Sequence, residues 1–172
     1  MATAFFAINM VGVPNRRPSA VEAALVISCP GKKDTCVHSM LRVPIPFSAL
    51  STNQRRAVAW AIKTSGAIWS QNEHLPTPDD WFSFAINLIV TLEVTKIITK
   101  GSSQFKFLQD VLRKNSCFVP LIMGENLKMI PFQHMNDIKP FVCCDHHFLQ
   151  NISSARYCSL HRAFQLKKHF QD

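Results

Sequence analysis

Residues Phe141 to Arg162, FVCCDHHFLQNISSARYCSLHR, gather three of the chain's six cysteines and three of its seven histidines, His146, His147 and His161. Thiolate and imidazole suit a tetrahedral zinc ion, and a Cys-x-x-His pair lets one short turn present both to it. A chain that closes such a site must bring further ligands to the same point, so this segment constrains the fold more than any other. Cys143-x-x-His146 and Cys144-x-x-His147 both have the spacing, in registers one residue apart, and only one can face the ion. Cys158 follows a polar loop, Asn151 to Arg156, and His161 stands about one helical turn beyond it. The spacing allows a local Cys-His-Cys-His site and equally a local trio completed by a distant group. The bland alternative is a set of buried thiols and surface histidines, since free cysteine packs as a small apolar residue. A catalytic Cys–His pair would need an orienting group and an oxyanion site that the sequence does not display.

The rest of the chain alternates between short apolar runs and amphipathic stretches. Ala4–Val13, Ser19–Cys29 and Thr35–Val43 are predicted as three antiparallel strands, separated by Pro14-Asn15, Pro30-Gly31 and Pro44-Ile45-Pro46. Glu22 is the anomaly in the second strand, because a carboxylate in an apolar run is costly unless it is exposed, paired or bound to a metal. Ser51–Trp69 reads as a helix capped by Thr52 with Val58, Ala61, Ile62 and Ile68 inward, and Trp81–Leu92 as a buried helix introduced by Thr77 and Pro78. Lys96–Lys100, Ser102–Lys114 and Val119–Met123 form a strand, helix and strand, implying parallel strands joined by a right-handed crossover. Phe105, Leu108, Val111 and Leu112 face inward on that helix. Leu127–Pro140 reads as strand then irregular, and Ala155–Phe170 as a terminal helix. The 172 residues are expected to form one domain.

Composition narrows the partners. A net charge of +8 favours anionic ones, nucleic acid ahead of a membrane surface. No apolar run reaches the roughly 18 residues of a membrane span, so no membrane partner is expected. Six cysteines without a regular framework, and no secretory signal, favour a reducing intracellular compartment.

A three-strand meander, helices and then a parallel βαβ unit is the element order of a ribonuclease H-like α/β fold, a mixed sheet flanked by helices. Nucleases of that fold hold two divalent ions on acidic residues at the centre of the sheet. The corresponding positions here are Asn9 and Val11, and neither supplies an anionic ligand. Asp79, Asp80, Asp110 and Asp137 stand near helix starts, on a helix face or in loops, where capping and solvation explain them.

E-A-A-L-V-I-S at Glu22, C-D-H-H followed by Tyr157-Cys158, and the stretch IITKGSSQFKFLQDVLRK together resemble the Maelstrom domain of the piRNA pathway. Several members carry an HMG box ahead of this domain, whereas the present chain starts directly at the first strand. The resemblance implies a ribonuclease H-like fold related to DEDD-type exonucleases, with the acidic site lost. It also implies a structural Zn2+ on Glu22, Cys144, His147 and Cys158, fastening the C-terminal segment to the second strand, with His161 as the alternative to Cys158. Its function would be single-stranded RNA binding in piRNA-mediated transposon silencing, with piRNA-pathway proteins as partners. The chain would be monomeric and located in perinuclear germ granules and the nucleus. Some members are described as cleaving single-stranded RNA; no catalytic residue follows for this chain. Expected phosphate contacts are Arg16, Arg17, Arg55, Arg56, Lys63, Lys100, Lys106, Arg113, Lys114, Arg156, Arg162, Lys167 and Lys168. The rival expectations are a divergent metal-dependent nuclease and a basic scaffold that meets acidic proteins.

Overall fold

The computed structural model describes residues 1–124, 144–150 and 157–171. Its strands are β1 Ala2–Val11, β2 Ser19–Ser28, β3 Thr35–Met40, β4 Val94–Thr99 and β5 Leu121–Met123, in one five-stranded sheet of spatial order β3-β2-β1-β4-β5. β1 to β3 are antiparallel, β4 runs parallel to β1, and β5 parallel to β4. The helices are α1 Thr52–Ser65, α2 Pro78–Thr91, α3 Ser102–Lys114, α4 Asp145–Gln150 and α5 Ser159–Gln171. This is the ribonuclease H-like mixed sheet with flanking helices expected from the element order.

β1 and β2 are apolar almost throughout because both faces of the sheet are covered. Phe6, Ile8, Leu25, Ile27 and Ile97 project to one side, where Trp81, Phe82, Ile86 and Ile89 of α2 and Leu108 and Leu112 of α3 complete the larger core. Phe5, Ala7, Ala24, Val26 and Ile98 project to the other, against Ala163 and Leu166 of α5. Phe5 also stacks on Phe170, with ring centroids 6.5 Å apart. A third cluster, including Val11, Val21, Val43 and Val58, seats α1 at the far end of the β1–β2 hairpin. In that hairpin Asn9 pairs with Glu22 and Met10 with Ala20, leaving Val21 as a bulge next to the carboxylate.

Local chemistry shifts several predicted boundaries. β1 starts and stops two residues earlier than expected, and β3 ends at Met40, after which the Leu41 and Arg42 N–H groups bond to Val21 and Pro76 carbonyls. Ser51, not Thr52, caps α1, through a capping box with Gln54, and Gly66 ends the helix in the left-handed region at φ 66°. Ile68 therefore lies beyond the helix, and Ile62 is exposed rather than inward. α2 begins at Pro78, three residues before the expected start, with Thr77 as its cap. β4 runs Val94–Thr99, shifted toward the N-terminus, and β5 is only Leu121–Met123 because it begins after Pro120, which has no N–H for a ladder. α3 has the expected bounds, but Phe107 joins Leu108 and Leu112 at the core. The terminal helix begins at Ser159, not Ala155. The Leu127–Pro140 segment and the Asn151–Arg156 loop lie outside the described residues.

Phe6 sits under α2, its ring 6.2 Å from both Trp81 and Phe82. Phe6→Ala should cost about 3–5 kcal/mol in urea unfolding. Phe118→Ala, at a side chain 91 % exposed, should stay within about 0.5 kcal/mol of wild type. Equal midpoints for the two variants would contradict this placement of the core.

Candidate metal centre

Glu22 is the least expected group in the interior. It lies on β2 facing α5, with 1 % of its surface exposed. A carboxylate there needs compensation, since the desolvation penalty of an unpaired buried charge amounts to several kcal/mol, roughly. Its Oε1 accepts hydrogen bonds from the Ser159 N–H (3.0 Å) and from His38 Nε2 (2.8 Å). Its Oε2 is buried and has no partner.

Around this carboxylate the chain brings together Cys144 before α4, His147 within α4 and Cys158 just before α5. One ligand atom from each of these and from Glu22 lies within 4.8 Å of all the others. A zinc tetrahedron with Zn–S near 2.3 Å and Zn–N or Zn–O near 2.0 Å places its ligand atoms roughly 3.3–3.8 Å apart. Cys144 Sγ and His147 Nδ1 are 3.2 Å apart, and His147 Nδ1 and Glu22 Oε1 are 3.8 Å apart. Two sulfurs, one imidazole nitrogen and one carboxylate with an unsatisfied buried oxygen fit a metal ion, and the group could hold one. All four donors come from the protein, so a tetrahedral ion would be closed to a reactive water.

The imidazole is oriented for this role. His147 Nε2 donates to the Ser65 carbonyl at 3.2 Å, which leaves Nδ1 to face Cys144 and Glu22. His146 Nε2 donates to the Gly66 carbonyl at 3.0 Å. Two adjacent histidines thus fasten the short helix α4 to the C-terminal end of α1. His38 supports Glu22 in the same way from β3. Sequence reasoning missed His38, although the β2–β3 pairing puts it opposite Ala24, two residues from Glu22. His161 is not one of the four: it is buried on α5, with Gln165 Nε2 at 2.7 Å from its Nε2. Cys143 lies outside the described residues. Cys29, Cys36, Cys117, Cys144 and Cys158 are all free of disulfides.

The two thiols split their acidities. A hydrogen bond from Cys158 lowers Cys144 to about 7, against the opposing effect of burial. The same bond, with burial and the Glu22 charge, pushes Cys158 up to about 12. Burial pushes the His147 pKa down, but its bond to Cys158 and the Glu22 charge outweigh this and leave it raised.

The thirteen expected phosphate contacts do not form one face. Arg16 and Arg17, in the β1–β2 turn, and Arg55 and Arg56, in the first turns of α1, meet at one end, where Gln54 Nε2 donates to the Pro14 carbonyl at 2.9 Å. All four are exposed, as is Lys63 further along α1. Lys106, Arg113 and Lys114 are on α3, Lys114 paired with Asp79 at 2.9 Å and Arg113 4.0 Å from Asp110. Arg162, Lys167 and Lys168 are on α5, across the sheet from α3, and Lys167 pairs with Asp34. Lys100 follows β4, half-buried, and Arg156 lies outside the described residues. Asn9 and Val11 are both buried, and Glu22, Cys144, His147 and Cys158 are the only group of potential metal ligands among the described residues. Asp80 accepts from Thr77 at 2.7 Å in the α2 cap, as its position beside a helix start suggested.

Metal uptake must displace the Cys158 proton and any proton on Cys144 or His147. Affinity for a divalent ion should therefore rise with pH and fall steeply below about 7, where Cys144 gains its proton, and the raised pKa of His147 adds to the loss in the same direction. Calorimetry in buffers of different ionisation enthalpy should report release of roughly one to two protons per ion at neutral pH. An affinity that stays flat between about pH 6 and about pH 8 would rule out thiolate ligation.

Two solved structures resemble this chain at low similarity. A crystal structure of a full-length 3′-exonuclease is 14 % identical with a TM-score of 0.47, over 67 % of this chain and 52 % of that one. A moderately thermophilic exonuclease I from Methylocaldum szegediense is 10 % identical with a TM-score of 0.48, over 99 % of this chain and 40 % of that one. The present chain thus spans about half of the first and less than half of the second. No protein-family model matches the chain, and no curated protein matches it.

Proposed function

We propose that this is a zinc-stabilised domain that binds single-stranded RNA, of the Maelstrom type, acting in piRNA-mediated transposon silencing. The observation that carries the reading is the convergence of Glu22, Cys144, His147 and Cys158 within 4.8 Å. This is the ligand set that the Maelstrom resemblance implied, and one of its members is a buried carboxylate with one oxygen lacking a partner. Thiolate and imidazole favour zinc over magnesium or manganese, which prefer oxygen. The closed donor set makes the ion structural, joining β2 to the segments that precede α4 and α5. The net charge of +8 and the exposed arginines at the start of α1 support an RNA partner. Proteins of the piRNA pathway as further partners, and residence in perinuclear germ granules and the nucleus, belong to the same reading. Cleavage of single-stranded RNA would be a family trait for which this chain offers no assigned residue. The one group of three or more potential ligands among the described residues contains a single carboxylate, whereas a two-metal nuclease holds its ions on several.

The test is a titration of a labelled single-stranded RNA against the metal-loaded protein at several salt concentrations, before and after chelation. Affinity should fall linearly with log salt, and Arg55→Ala/Arg56→Ala should reduce the slope by about 1 or more. Chelation should reduce helical signal as the C-terminal segment detaches. Salt-independent binding, or chelation without structural effect, would overturn the respective half of the reading.

A further inference from the structure

A cleft of about 530 Å³ opens at the C-terminal end of β1, between α1, the start of α3, and the Tyr157–Arg162 segment. None of its described lining residues is acidic. We propose that this cleft receives one nucleotide unit of a single-stranded nucleic acid, with the base against Trp60 and an acceptor on Asn9. The proposal rests on the RNA-binding reading and says where one unit of the strand is held.

Asn9 is the first observation. It is 6 % exposed, lines the cleft, and its amide nitrogen has no hydrogen-bond partner. A buried donor left unsatisfied is destabilising, and an entering acceptor relieves it. Base carbonyls, ring nitrogens and phosphate oxygens are all acceptors, and a nucleotide carries each of them. Trp60 is the second. Its indole is 69 % exposed on the cleft wall. An exposed indole is a stacking platform that accepts any base, and a duplex would keep its base faces hidden.

The remaining parts suit the phosphate. Gln104 reaches back from the first turn of α3, its carboxamide oxygen accepting the Ile8 N–H at 2.9 Å, and so fixes the start of that helix against β1. Gly101 caps the helix at φ 88° and contributes no side chain to the first-turn N–H groups. Such a terminus favours an anion. Across the cleft, the Arg162 guanidinium lies 5.3 Å from the centre of the Tyr157 ring and adds positive charge. An aromatic wall, an unsatisfied amide and a cationic rim match the base, its edge and its phosphate.

The test uses the full chain, metal-loaded, with a fluorescein-labelled pentaribonucleotide followed by anisotropy and with adenosine monophosphate followed by calorimetry. Trp60→Ala should weaken pentamer binding about tenfold or more, and Trp60→Phe should restore most of it. Phe118→Ala, an exposed aromatic before β5 at the opposite end of the sheet, should leave binding unchanged. Wild-type affinity in Trp60→Ala would overturn the cleft while leaving the RNA-binding reading intact. Trp60-dependent binding of the monophosphate without binding of the pentamer would support a nucleotide site and overturn the RNA reading. Binding of neither probe by wild type would overturn both.

Discussion

The structure depends on how the carboxylate of Glu22 is kept in the interior. A negative charge on a nearly fully covered sheet face is tolerable only where donors and counter-charges surround it. The Ser159 N–H and His38 satisfy Oε1, which also lies 3.8 Å from His147 Nδ1, while Oε2 is buried with no partner. A divalent cation at that point would neutralise the carboxylate and the thiolates together. The apolar packing of α5 on Phe5, Ala7, Ala24 and Val26 holds the same helix from its other end.

From this centre the connections run outward to most of the molecule. Glu22 belongs to β2, next to the central strand, and Ser159 begins the helix that covers one sheet face. His147 and His146 bond to the Ser65 and Gly66 carbonyls at the end of α1, so a candidate ligand and its neighbour also fix the end of that helix. Ser65 and Tyr157, each next to or bonded with a ligand residue, also line the cleft beside Asn9. The candidate metal centre and the proposed nucleotide site therefore share walls, so an ion bound at the first would also steady the second.

The fold was legible where both sides of an element carry the same message. β1 and β2 read as strands because sheets covered on both faces leave continuous apolar runs, and the amphipathic pattern after Gly101 gives α3 its bounds. α1 was overextended because the apolar Ala67–Trp69 continues its pattern, although Gly66 in the left-handed region ends the helix. At the centre, the clustering of cysteines and histidines and the misplaced charge of Glu22 were visible in the sequence. Their meeting was not, since it depends on β2 register and on where α5 docks; the family resemblance supplied it. His38 and the α1 carbonyls carry no local signal. They acquire meaning only through neighbours 16 or more residues away, as in the 2.8 Å contact between His38 and Glu22.

The central claim is that Glu22, Cys144, His147 and Cys158 hold one zinc ion. Elemental analysis of the purified protein, with Glu22→Ala, Cys144→Ala and His161→Ala beside wild type, addresses it directly. One zinc per chain, lost in Cys144→Ala, reduced in Glu22→Ala and kept in His161→Ala, is the predicted result. A wild-type protein that takes up no zinc, or zinc that requires His161 and ignores Glu22, would contradict the account.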